Sequence, residues 1–99
     1  MKTLETTLET WAVERLREIG ADAVKRGQGG EPDREVFWGG GHHFWIEFKQ
    51  EGGLLRPSQK AWLKHRKPAG DVFHLVRSRA ELEDIIVDST RRYGPPHRR

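Results

Sequence analysis

Two apolar runs with strand character, HHFWIEFKQ (residues 42–50) and DVFHLVRS (residues 71–78), are separated by a stretch with helical character. That stretch opens near Pro57, a residue suited to a first helical turn because its missing N–H is not needed there. It runs through Ala61, Trp62 and His65 to about Lys67, where Pro68 and Gly70 end it. Neighbouring strands joined by a helix lie parallel, since only a parallel pair needs a crossover of that length. The apolar run of the second strand predicts a central or well-covered place in the sheet.

Ahead of the crossover, Leu4, Leu8, Trp11, Ala12, Leu16 and Ile19 recur at three- to four-residue spacing, the stripe of an amphipathic helix that Gly20 can stop. DAVKRG (22–27) reads as a short strand leading into the glycine-rich loop GQGGEPD (27–33). REVFW (34–38) is a second strand, and the glycines at 39–41 turn it into residues 42–50 as a hairpin. Ser78 with Glu81 three residues on forms a capping box for a last helix, whose core side carries Leu82, Ile85, Ile86 and Ser89. The order α-β-β-β-α-β-α predicts an α/β fold, a small mixed β-sheet flanked by helices. One domain is expected over 1–93, with a basic flexible tail over 94–99.

Only 34% of the 99 residues are hydrophobic, so the core is thin and leans on four Trp and four Phe. The absence of cysteine excludes disulfides and thiolate metal sites. No apolar run approaches bilayer length, and MKTLETTLET lacks the apolar stretch of a signal peptide. The expectation is a cytoplasmic protein with no membrane partner. The net charge of +3 conceals segregation: the last nine residues hold four of the 18 basic side chains and no acid. From Arg56 to Arg79 seven basic residues face one acid, Asp71. Segregation of this kind fits a polyanion partner.

Glu47 and Lys49 interrupt the apolar run at 42–50 two residues apart, hence on one face. A surface ion pair would explain them if they stood alone. Pro32 and Asp33 lie upstream, with 13 residues between Asp33 and Glu47, a gap that a hairpin closes. Two carboxylates, the carbonyl of Phe48 and waters make the oxygen set that Mg²⁺ or Mn²⁺ prefers. Beside such an ion, Lys49 can orient a water or neutralise charge growing on a phosphate oxygen.

The segment from Gly29 to Ser78 resembles the virus-type replication-repair nuclease domain (VRR-Nuc) of the PD-(D/E)xK nuclease superfamily, and the likeness extends from Leu8 to about Leu82. Its marks are Pro32–Asp33, Glu47-x-Lys49, the turn GGLLRPSQ leading into Gln59, and the closing VFHLVRS strand followed by a helix. The resemblance implies a restriction-endonuclease-like core with Asp33 and Glu47 as metal ligands and Lys49 as the catalytic lysine. It also implies that Gln59 is directed toward the site from its helix. A glutamate on the first helix matches Glu9, with Glu5 one turn earlier as its rival. The family usually has Gly before Pro-Asp; here Glu31 either shifts the loop or joins the metal shell.

Other motifs carry less. His42 and His43 point to opposite faces of a strand and cannot chelate one ion together. GQGG is followed by no Gly-Lys-Ser/Thr, so it is read as a mobile loop that admits DNA to Asp33. Lys25, Arg26, Arg56, Lys60 and Lys64 are the expected phosphate contacts. The implied activity is Mg²⁺- or Mn²⁺-dependent endonucleolytic cleavage of DNA, duplex or branched, with Holliday junctions as the favoured form. The cytoplasm of a bacterial or phage-infected host cell is its implied setting, and no small-molecule cofactor is expected. A non-catalytic DNA-binding module on the same fold is the alternative. A homodimer is expected because Phe37, Trp38, Phe44 and Trp45 fall on both faces of one short hairpin and need cover.

Overall fold

The computed structural model describes residues 3–97. Its elements are α1 (Leu4–Ile19), β1 (Asp22–Lys25), β2 (Arg34–Gly39), β3 (His42–Phe48), α2 (Pro57–Arg66), β4 (Phe73–Val76) and α3 (Arg79–Tyr93). The expected order and the mixed sheet are both present. The sheet runs β1-β2-β3-β4, with β1–β2 and β2–β3 antiparallel and β3–β4 parallel across the α2 crossover.

Local chemistry explains the boundaries. The Thr3 hydroxyl accepts the Thr6 N–H and caps α1. Gly20, at φ 101°, closes α1 in the left-handed conformation that a side chain would strain. Ser78 caps α3 by accepting from Glu81 N–H, while Glu81 Oε1 accepts from Arg77 N–H. β1, β3 and β4 are shorter than expected, and β2 is one residue longer. β1 stops at Lys25 because Arg26 N–H bonds the Asp33 carbonyl and closes the loop. β3 ends at Phe48, although Lys49 N–H still bonds the Val76 carbonyl at 3.1 Å. β4 begins only at Phe73, where Asp71 has already turned its carboxylate to Arg66.

Strand alternation sends Val36, Trp38, Phe44, Ile46, Phe48 and Val76 into one core with Ala12, Leu16, Leu82 and Ile86. On the opposite face the Trp45 ring stands edge-on to Trp62 of α2, with centroids 4.9 Å apart. The Arg66 guanidinium lies over both rings and pairs with Asp71. Helices therefore cover both faces of β3. This overturns the premise that the hairpin aromatics need a partner chain: Trp38, Phe44 and Trp45 are buried within this chain, and only Phe37 stays 41% exposed.

The tail also departs from expectation. Trp38 Nε1 donates to the Gly94 carbonyl, and His97 N–H donates to the Trp38 carbonyl, each at 2.9 Å. Residues 94–97 thus return to the hairpin instead of leaving the fold. Arg98 and Arg99 lie outside the described residues.

One packing point bears directly on the loop before β2. Gly30 has φ 89°, and a Cβ there would run into the Ser58 carbonyl oxygen at the start of α2. Loop and helix can approach this closely only with glycine. Gly30→Ala is expected to cost roughly 1–3 kcal/mol, read as a lower urea midpoint with an unchanged slope.

Candidate active site

Antiparallel pairing of β2 with β3 sets Arg34 opposite Ile46, so Asp33 at the mouth of β2 comes level with Glu47 and Phe48. The contact is reciprocal. Asp33 N–H donates to Glu47 Oε1 at 3.1 Å, and Phe48 N–H donates to Asp33 Oδ2 at 2.8 Å. In an extended strand the N–H and C=O of one residue point to the same side. The Phe48 carbonyl is therefore directed to the Asp33 side, away from β4.

Glu47 is only 3% exposed. Its second oxygen, Oε2, accepts from Gln59 Nε2 at 2.7 Å and lies 3.5 Å from Lys49 Nζ. Gln59 is itself buried and spans two jobs, since its Oε1 accepts from Arg56 N–H at 2.8 Å and fixes the first turn of α2. The Glu47–Lys49 pair is a buried one, and the surface reading of this Glu-x-Lys does not apply. Burial pushes the Glu47 carboxyl above its usual range, and the adjacent Asp33 charge pushes it further. The bonds from Gln59, Lys49 and Asp33 N–H oppose that rise without cancelling it.

Asp33, Glu47, Phe48 and Lys49 line a cavity of about 330 Å³ together with Thr3, Glu5, Thr6, Glu9 and Arg56. Of the expected catalytic set, Asp33, Glu47, Lys49 and Gln59 converge. Glu9 reaches the rim, but its Oε2 accepts from Arg34 Nε at 2.7 Å and Lys25 Nζ at 3.0 Å. Glu5 lines the same cavity one turn earlier. Glu31 does not join the cavity. Its carboxylate accepts from Gln28 N–H at 3.2 Å, a local turn bond away from the cavity.

The expected phosphate contacts divide. Lys25 is held by Glu9, and Arg26 by Glu35 at 3.0 Å. Arg56 lines the cavity, and Lys60 and Lys64 stand exposed along α2 with no salt-bridge partner among the described residues. Sequence reading missed Arg34, which ties Glu9 to the sheet and also donates to the Ala23 carbonyl at 3.2 Å. Period-two alternation from Val36 and Trp38 puts Arg34 on the α1 side, and that was the available signal.

The donor set fits a hard divalent cation. Two carboxylates stand side by side, one almost dry, with a strand carbonyl aimed to the same place, and every donor is oxygen. Among the described residues no three Asp, Glu, His or Cys side chains are grouped to hold a metal. Backbone and water would complete the shell.

A solved structure of a VRR_NUC domain is similar to this chain, with a TM-score of 0.79 and 24% identity. The match covers 87% of this chain and 97% of that one. The chain therefore has the fold of that nuclease-type domain. No family model matches the chain, and no curated protein does. Among the described residues no helix is long and apolar enough to cross a membrane.

The bonding pattern selects the informative variant. Both Glu47 oxygens accept hydrogen bonds, so Glu47→Gln would set an amide donor against Gln59 or Asp33 N–H. Asp33 accepts through Oδ2 alone among the bonds formed here, and Asn can keep that one. A carboxyl with a raised folded pKa binds its proton more tightly folded than unfolded, so stability falls as pH rises through the window above 4.5. Metal-free wild type should lose stability on raising the pH through that window. Asp33→Asn should flatten the loss and be at least as stable at neutral pH, checked by urea midpoints across pH.

Proposed function

We propose that this protein is a metal-dependent nuclease that hydrolyses DNA phosphodiester bonds. The observation that carries the reading is the convergence of Asp33, Glu47 and Lys49 on one cavity, with Glu47 buried beside a like charge. The solved VRR_NUC domain of the same fold supports it. Placing two carboxylates together is costly without a cation between them, and in front of a polyanion it is a liability as well.

Asp33, Glu47 and the Phe48 carbonyl would hold Mg²⁺ or Mn²⁺. Such an ion, when bound, acidifies water and draws charge from the phosphate. The side chains do the rest. Gln59 keeps Glu47 oriented by occupying Oε2, and Asp33 N–H fixes Oε1. Lys49, held at the cavity by its backbone bond to Val76, presents an ammonium to the attacking water or to a phosphate oxygen. Arg56 and the exposed lysines of α2 offer contacts to the flanking phosphates.

The finer part of the proposal is endonucleolytic, structure-selective cutting of branched DNA such as a Holliday junction. One cavity per chain cuts one strand, and a two-fold dimer would supply the second cut. Because the aromatics are covered internally, that dimer rests on the symmetry of the substrate and not on unburied surface.

Asp33→Asn should lower Mg²⁺-dependent cleavage by on the order of a thousandfold or more and abolish stabilisation by Mn²⁺ in thermal unfolding. Cleavage surviving in EDTA, or undiminished in the variant, would overturn the assignment. Lys49→Ala should lose cleavage and keep Mn²⁺ binding by calorimetry, since an ammonium is not a ligand. Charge reversal at Lys60 or Lys64 should reduce the slope of log affinity against log salt by roughly 0.9 per lost duplex phosphate contact.

A further inference from the structure

Leu54 is 78% exposed and Leu4 is 74% exposed, more than any other large hydrophobic side chain among the described residues. Single leucines in water are common. Their positions set these two apart. Thr3 and Glu5, on either side of Leu4, both line the cavity of Asp33 and Glu47. Leu54 sits in the loop between Lys49 and Arg56, which line the same cavity.

The loop that presents Leu54 is anchored on both flanks. Gly53 N–H bonds the Gln50 carbonyl at 2.9 Å, and the Arg77 guanidinium donates to the Gly53 carbonyl at 2.9 Å. Gly53 packs so closely that a Cβ there would lie 3.0 Å from the Gln50 carbonyl oxygen. On the other flank Arg56 N–H is fixed by Gln59. The chain thus spends ordered backbone on holding an apolar side chain out in water, where it gains nothing within the monomer. Basic residues flank it in the chain, Lys49, Arg56 and Lys60 against the single acid Glu51, and Arg77 reaches the loop at the Gly53 carbonyl.

We propose that Leu54 is an apolar wedge that enters an opened base step next to the scissile phosphate at the Asp33–Glu47 cavity. The inference rests on the nuclease reading above and names a specificity-determining residue for it. Cations bring the DNA backbone to the loop, and a leucine at that level meets base edges or a broken stack. Inserting it into an intact duplex requires unstacking, whereas a branch point, flap or mismatch has already lost that stacking. The wedge therefore favours DNA whose stacking is interrupted beside the scissile phosphate.

The test uses the full chain, a four-way junction with 2-aminopurine at the branch, and a linear duplex of the same sequence. Binding is followed without divalent ions by 2-aminopurine fluorescence, and cleavage is followed in Mg²⁺. Wild type should brighten the branched probe and cut it in preference to the linear duplex. Leu54→Ser should lose the brightening and reduce the branched-to-linear cleavage ratio by about tenfold, with an unchanged thermal midpoint. Leu54→Met should restore both. Leu54→Ser behaving as wild type in fluorescence and in cleavage ratio would overturn the wedge, as would a wild type that leaves the probe dark. A wild type that brightens the probe but cuts nothing in Mg²⁺ would overturn the nuclease reading and leave the wedge standing.

Discussion

A carboxylate removed from water beside another carboxylate is the constraint around which this small fold is arranged. Glu47 could sit in the sheet as an isolated ion only at a cost of several kcal/mol. Each of its neighbours reduces that cost. The Asp33 N–H takes one oxygen, while Gln59 and Lys49 take the other. The partners come from three separate segments, so meeting the demand of one side chain fixes the hairpin register, the docking of α2 and the exit of β3. The residual upward push on its pKa marks the part of the demand that the protein leaves unmet. Under the proposed function, a bound cation would meet that demand.

Gln59 shows how little redundancy such a domain has. Its amide nitrogen serves Glu47 and its amide oxygen serves the first turn of α2. Trp45 against Trp62 does on the apolar side what Gln59 does on the polar side, seating the same helix on the same strand. Both contacts lie on the odd-numbered face of β3, while Phe44, Ile46 and Phe48 on the even-numbered face reach α1 and α3. A seven-residue strand thus serves a core on one side and a wall of the candidate cavity on the other.

Much of this was legible in the sequence because it depends on short-range pattern. Alternation and spacing located Glu47 and Lys49 on one face, and hairpin arithmetic brought Asp33 to them. The crossover at 57–67 dictated the parallel pair. What escaped depends on long-range partners, which periodicity does not encode. Nothing in the run at 34–38 announces that Trp38 will bind the backbone at Gly94 and His97 and hold residues 94–97 on the hairpin. Lys25 and Arg26 read as free cations, yet each finds a carboxylate across the sheet or on α1. The aromatics looked too many for one chain because they fall on both faces of the hairpin, and α2 covers Trp45 on the second face.

The same topology orders the assembly of the molecule in time. β2 and β3 are joined by a tight turn, so Asp33 and Glu47 become neighbours as soon as a local hairpin closes, an event on the scale of microseconds. Lys49 travels with that strand. Gln59 and the β4 pairing arrive only after the intervening helix has formed and the longer crossover has been ordered, a slower closure with a larger entropy cost. If the hairpin closes first, the two carboxylates meet before Gln59 reaches them, and dissolved ions would then act on the folding barrier as well as on the finished site.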